Sequence, residues 1–267
     1  MKAYLAVVRL RFLLLLQYRM AAAAGIFTQL FFGLVKVMVV LAFFHSSGVP
    51  QPLSLHQTVT YIWLVQAYLG LLPWNGDLEL VGMIRTGNIA YELCRPVDLY
   101  TLWSSRMLAQ RLAPTLLRSV PILLVAGLLL PGEMALNLPA SWTATAAWFA
   151  AMAGALLLST VLSNFFTIAT MWTIAGFGVY NSLGAVFMLL SGSLVPLAFF
   201  PDWAQPLLQW LPFSGAVDAP FRFYVGAYTP SQIFVVLPRQ LIWTALLAIS
   251  GRWILSRAMH RVAIQGG

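Results

Sequence analysis

Long apolar runs separated by short polar breaks set the pattern of this chain. Six runs reach or approach the roughly 20 residues that cross a bilayer core as a helix: 21–44, 58–74, 112–130, 142–170, 180–199 and 233–255. Lys36 is the only charge in the first, and no charged residue occurs from Met134 to Pro201. The fourth and fifth runs therefore meet without a charged turn, and Gly176 and Gly178 put their boundary around 175–180. Residues 1–20 read as a retained amphipathic helix rather than a signal peptide, because no small-residue cleavage motif follows the leucines at 13–16. Arg9, Arg11 and Arg19 would meet lipid headgroups while those leucines dip below them.

Two connecting segments are more than turns. In 75–111, Leu78, Leu80, Val81 and Ile84 predict a short amphipathic helix that Gly87 ends. Ile89, Leu93 and Cys94 give a second short apolar face beside Glu92 and Arg95, and Pro96 opens the way to the third span. Two readings fit: a docking element for a cytoplasmic partner, or an interfacial helix that only orders the loop. In 191–230, Pro196, Pro201, Pro206, Pro212 and Pro220 forbid a straight span. Short helices that enter the membrane and return are expected, shielded by protein or by a water-filled cavity. Trp203, Trp210, Phe213, Phe221 and Tyr224 fit either an interfacial aromatic belt or an outer lid on a pathway.

Composition sharpens this. Of the 267 residues, 61% are hydrophobic and 8% charged, too few charges to cover a soluble protein of this size. The net charge of +8 invites a nucleic-acid reading, but its distribution argues otherwise. Eleven of the 15 Lys and Arg fall in 1–20, in 75–111 or in the C-terminal end, whereas the loops 45–56 and 131–141 contain none. Cytoplasmic cations on a membrane protein explain that bias without nucleic acid, and both termini are then cytoplasmic.

The inventory of chemistry is short. Cys94 is the single cysteine, His45, His56 and His260 have no ligand spacing, and no nucleotide-binding or metalloprotease motif occurs. Ser191 and Ser193 have no intramembrane His or Asp to activate them as nucleophiles. No acidic residue sits in a span core, which disfavours a proton relay, and no charged or carbonyl-lined filter is legible. A secondary transporter of a lipophilic or cationic small molecule fits the hydropathy, although no internal repeat is found. Lys36, Arg118 and Arg239 lie within spans, the last two able to snorkel and Lys36 open to a pathway role. Gln66, Asn164 and Asn181 suit helix–helix hydrogen bonds.

Three segments carry a resemblance. Ile84-Arg85-Thr86-Gly87 followed by Leu93-Cys94-Arg95-Pro96-Val97-Asp98 is one, Leu190-Ser191-Gly192 through Pro196, Phe200-Pro201 and Leu211-Pro212-Phe213 is another, and the tail ending in Gly266-Gly267 is the third. In this order the chain resembles the permease subunits of type-2 ATP-binding-cassette (ABC) transporters, in the branch with paired permeases and a separate ATPase. The resemblance implies an all-α membrane protein forming one permease domain over 1–267. Its parts would be an N-terminal interfacial helix, six transmembrane helices, a cytoplasmic coupling helix and outer re-entrant helices. It implies an exporter in the bacterial cytoplasmic membrane, with a second, non-identical permease and two ATPase subunits that hold ATP and Mg, and no cofactor on this chain. Ile84, Arg85, Gly87, Glu92, Arg95 and Pro96 become ATPase-coupling residues. Lys36, Trp63, Gln66 and Phe187 become candidates to line a pathway between the two permeases, and Pro196, Phe200, Pro201, Trp203, Pro212 and Phe213 an outer gate. The turn between spans four and five departs from the family pattern in carrying no charge, which leaves an ATPase contact there in doubt.

Overall fold

The computed structural model describes residues 2–46, 48–74, 76–94, 96–172 and 176–265. Of the expected features, Arg95, the Gly266-Gly267 end and the first residue of the boundary at 175–180 lie outside the described residues. Among the described residues the chain is helical throughout, without a strand. The helices are α1 Lys2–Gln17, α2 Arg19–Ser46, α3 Leu55–Ala67, α4 Leu78–Thr86, α5 Ala90–Leu93, α6 Leu99–Leu124, α7 Trp142–Ala169, α8 Gly176–Leu190, α9 Gln205–Trp210, α10 Pro212–Ala216, α11 Asp218–Tyr224 and α12 Ile233–Gln265.

Among the described residues, four segments are long and apolar enough to cross a membrane: Arg19–Ser46, Leu99–Leu129, Trp142–Trp172 and Pro230–Met259. At 1.5 Å per residue each exceeds the ~30 Å of a hydrocarbon core. The second and fifth apolar runs make shorter helices. The second gives α3 and one 3₁₀ turn, Leu69–Leu71, and Pro73 follows. The fifth ends at Leu190, where Ser191 and a left-handed Gly192 (φ 85°) turn the chain.

The polar contacts sort the elements onto two ends. At one end the Tyr4 hydroxyl accepts from the Asp98 amide, and Arg252 reaches Asp98 at 3.3 Å. There α1 packs along the first half of α6. At the other, His45 Nε2 lies 3.0 Å from Glu133, Gln57 donates to the Val225 carbonyl at 3.0 Å, and the Ala140 amide reaches the Tyr224 carbonyl. The loops that lack cations thus meet each other, and the cationic segments meet at the opposite end.

Packing follows side-chain size. On α7, Ala147, Ala151, Gly154 and Ala155 are buried and let α12 approach along its length. Gln240 of α12 uses the close approach to donate to the carbonyls of Ala151 (2.9 Å) and Gly215 (2.7 Å). On α2, Gly33 lies under the Trp63 ring, whose carbon atoms would stand 2.4 Å from a Cβ at that position. The expected helix–helix role of Asn164 is realised: its side-chain amide donates to Ser104 of α6 at 2.9 Å.

The third span is where the expectation needs correcting. It begins at Leu99, not at 112, so Arg106 and Arg111 belong to α6 rather than to a cytoplasmic connection. Both are buried, at 5% and 3% exposure. Arg111 is held by neutral partners: Ser163 Oγ on α7 (2.9 Å), the Leu72 carbonyl after α3 (2.6 Å) and the Tyr180 hydroxyl on α8 (3.5 Å). Leu72 closes a helical turn, so its carbonyl sits at the negative end of a helix dipole. One guanidinium thereby joins four elements. Arg111→Met leaves these acceptors unmatched and should cost about 3 kcal/mol, and Arg111→Lys should recover part of the loss because it keeps the charge without the fork. The check is the thermal unfolding midpoint of the purified chain in detergent, where equal midpoints for Met and wild type would contradict the assignment.

Candidate functional site

The connection between α3 and α6 folds as the pattern of apolar positions dictates. Asp77 caps α4 through the Leu80 amide at 3.1 Å. Gly87 closes it in the left-handed region at φ 76°. The Ile89 amide then returns to the Met83 carbonyl at 3.1 Å and starts α5. Leu80 and Ile89 bury themselves against Trp103 and Met107 of α6, so the two short helices form a bracket with its base on that helix.

The base is a charge cluster. Arg106 Nε donates to Asp77 Oδ2 at 3.0 Å, Nη1 reaches Glu92 Oε1 at 3.2 Å, and Nη2 lies 3.2 Å from Glu79. The other Glu92 oxygen accepts from Trp103 Nε1 at 2.9 Å. Glu79 is shared with α1, where Arg11 binds it through both guanidinium nitrogens at 2.6 and 3.0 Å. That bidentate hydrogen bond holds the Glu79 carboxyl below its usual range and raises the Arg11 guanidinium. Three carboxylates and two arginines from α1, α4, α5 and α6 thus form one unit.

This geometry divides the expected coupling residues. Glu92 faces inward and is committed to Arg106 and Trp103, so it is a clamp rather than a contact surface. Ile84 is half-buried against the same cluster. Arg85, Thr86, Gly87, Asn88 and Pro96 are exposed, and Tyr91, which sequence reasoning missed, projects with 76% of its surface free. The tip of the bracket is polar and aromatic, and its base is rigid.

The opposite end carries the proline-rich segment. It breaks into a 3₁₀ turn, Leu197–Phe199, and the short helices α9, α10 and α11. Its pin is Asp218, fully buried, which accepts from the Tyr61 hydroxyl and the Leu197 amide at 3.1 Å each and pairs with Arg222 at 2.7 Å. The Tyr61 hydroxyl also reaches the Gly192 carbonyl at 3.0 Å, and Arg222 lies over the Tyr228 ring. No sequence motif marked this group. Of the expected gate residues, Pro196 and Pro212 are buried, Phe213 stacks edge-on to Phe187 at 5.8 Å, and Phe200 packs with Leu197, Ala204 and Leu208. Pro201 and Trp203 face outward.

The pathway candidates fall inside the subunit. Trp63 is fully buried and donates to the Met134 carbonyl at 2.9 Å, Gln66 is buried beside it on α3, and Phe187 is buried against Phe213. They fill the core of this chain instead of lining its surface, because α3 is enclosed by its neighbours along residues 58–67. Lys36 alone of the four reaches the edge of α2, half-buried. Among the described residues no group of His, Cys, Asp and Glu is placed to hold a metal.

No curated protein and no solved structure matches the chain. Residues 30–266 match the family described as ABC-2 family transporter protein. That match takes in every helix from α3 onward and most of α2, and the chain belongs to the ABC-2 transporter family of ABC permeases, the membrane components that work with an ATPase.

Proposed function

We propose that the chain is the transmembrane subunit of an ATP-driven exporter in the bacterial cytoplasmic membrane. It forms the pathway with a second, related permease, and ATP and Mg²⁺ are held by two separate ATPase subunits. The observation that carries this reading is the bracket of α4 and α5, a solvent-facing tip on a base clamped by buried ion pairs. A tip that only ordered a loop would need no such clamp. A tip that transmits movement does, because a soft base would absorb the displacement.

Six passes are part of the proposal. Besides the four long segments, α3 starts beside the Val225 carbonyl at the end away from the bracket and leads to Leu72 on Arg111. From the side of Gly76 and Tyr180, α8 leads to Phe187 under the proline-rich segment. The excess of cations at the α1, α4 and α12 end favours that end as cytoplasmic. The lid then faces outward, where export delivers its substrate.

Two measurements test this. In a Cys94→Ser background, Leu138→Cys should react with an impermeant maleimide on intact cells, and Asn88→Cys only after permeabilisation. The reverse pattern would reject the orientation. Replacing Arg85 and Tyr91 together by Ala should cut co-purification of the ATPase about tenfold, the loss expected when one or two exposed anchors leave an interface, with the unfolding midpoint unchanged. Arg106→Gln should lower both, since it dissolves the base. Undiminished complex formation by the Arg85/Tyr91 pair would remove the tip from the ATPase contact.

A further inference from the structure

Helices α2, α3 and α6 pack together and contain no Asp or Glu, yet they carry cations and amides at neighbouring levels within the membrane. Arg118 of α6 lays its guanidinium against Gly25 of α2, so closely that a Cβ there would stand 2.5 Å from Cζ. Its Nε is buried and has no hydrogen-bond partner. One turn along α2, Gln29 is 3% exposed, and neither its amide nitrogen nor its amide oxygen has a partner. Gln66 is equally buried on α3. The two glutamines share a level: Gln29 lies one turn before Gly33, Gln66 one turn after Trp63, and Gly33 and Trp63 touch across antiparallel helices.

Such groups are costly to leave unmatched. Elsewhere in the chain the buried arginines are matched: Arg106 by carboxylates, Arg111 by three oxygens, Arg222 by Asp218. Arg118 is half-buried, its Nε is shut off from solvent with no hydrogen-bond partner among the described residues, and α2, α3 and α6 have no acid to offer it. Lys36 extends the feature. At 3.6 residues per turn, Gly25, Gln29 and Lys36 fall within about 40° of one another on α2, and Lys36 stands about 16 Å further along the axis than Gly25. It too has no ion pair among the described residues. On the same strip Phe32 and Phe43 are 53% and 49% exposed, so the strip borders an apolar surface.

We propose that the α2–α3–α6 junction binds the oxyanion headgroup, phosphate or carboxylate, of a membrane amphiphile. Arg118 supplies the charge and a planar pair of donors, the Gln29 and Gln66 amides supply neutral donors, and Phe32 takes the apolar part of the molecule. Lys36 is the next cation along the strip toward the lid. A small inorganic anion would satisfy the guanidinium but would leave the exposed aromatic strip unused. The headgroup belongs either to a resident anionic phospholipid or to the transported molecule, and in the second case the inference rests on the permease function proposed above.

The experiment needs no ATPase at its first stage. The full chain in detergent is titrated with phosphatidylglycerol or phosphatidylcholine and examined by native mass spectrometry. Wild type should retain phosphatidylglycerol about tenfold more tightly than phosphatidylcholine, the scale of one charge-assisted hydrogen-bonded contact. Arg118→Gln and Gln29→Leu should lose that preference. Gly25→Ala should lose it as well while keeping the fold, since its methyl meets only the movable end of Arg118. No preference in wild type, or an equal preference in all three variants, overturns the site. At the second stage the chain and its ATPase are placed in vesicles containing labelled phosphatidylglycerol. ATP-dependent movement of the label between leaflets identifies the headgroup as cargo, whereas binding without movement identifies it as resident lipid. Failure to recover any ATPase complex would count against the permease reading and leave the first-stage result standing.

Discussion

A guanidinium inside a membrane protein must find acceptors for its donors or remain a standing cost of several kcal/mol. That constraint organises α6. Its three arginines stand at 106, 111 and 118 along one helix, and their surroundings differ in kind. Arg106 meets Asp77, Glu79 and Glu92, which fixes the bracket of α4 and α5. Arg111 meets the neutral oxygens of Ser163, Leu72 and Tyr180, which fixes α3, α7 and α8 around the helix. Arg118 lies against Gly25, and Gln29, whose amide has no partner among the described residues, stands one turn further along α2. Satisfaction declines along the helix away from the bracket, and the first two arginines are the ones that tie neighbouring elements together.

The two ends are built by the same device with different materials. At the bracket, several carboxylates share two arginines, and α1 is hooked on through Arg11. At the lid, Asp218 gathers a tyrosine, a backbone amide and Arg222 in full burial. Short helices punctuated by proline have too few internal hydrogen bonds to hold their own positions. A buried carboxylate with several donors supplies the missing constraint, and removing one partner would leave an uncompensated charge.

The sequence makes the helices legible because apolar runs of this length have few alternatives. It also makes the bracket legible, through the apolar positions from Leu78 to Ile84 and the stop at Gly87, and the short helices of 197–224, through their prolines. Its failures have a common cause. Arg106 and Arg111 were assigned to a cytoplasmic connection because an arginine beside an apolar run is ordinarily outside the membrane. Their partners lie 14 to 69 positions away and cannot be read from local pattern. Glu92 looked like a docking charge for the same reason. Tyr61 and Asp218 are separated by 157 positions, and nothing in either neighbourhood announces the other. Trp63, Gln66 and Phe187 drew notice as large or polar groups in spans, but enclosure by neighbouring helices decides whether such a group lines a surface.

The placement of α3 connects these parts. Tyr61 touches the lid pin, Gln66 lies at the Arg118 level, Leu72 holds Arg111, and five residues later Asp77 caps the bracket and binds Arg106. Every residue of α3 from Thr58 to Ala67 is buried, so it has no free side along which to slide. Close-packed interiors transmit displacement between discrete arrangements rather than absorbing it. If the bracket moves relative to α6, the Arg106–Asp77 pair breaks or α3 is carried with Asp77. If α3 is carried, Tyr61 must drag the lid or release Asp218. The same segment therefore cannot change position at one end without a polar contact being exchanged at the other, and Gln66 lies midway along that route, level with the unmatched amide of Gln29.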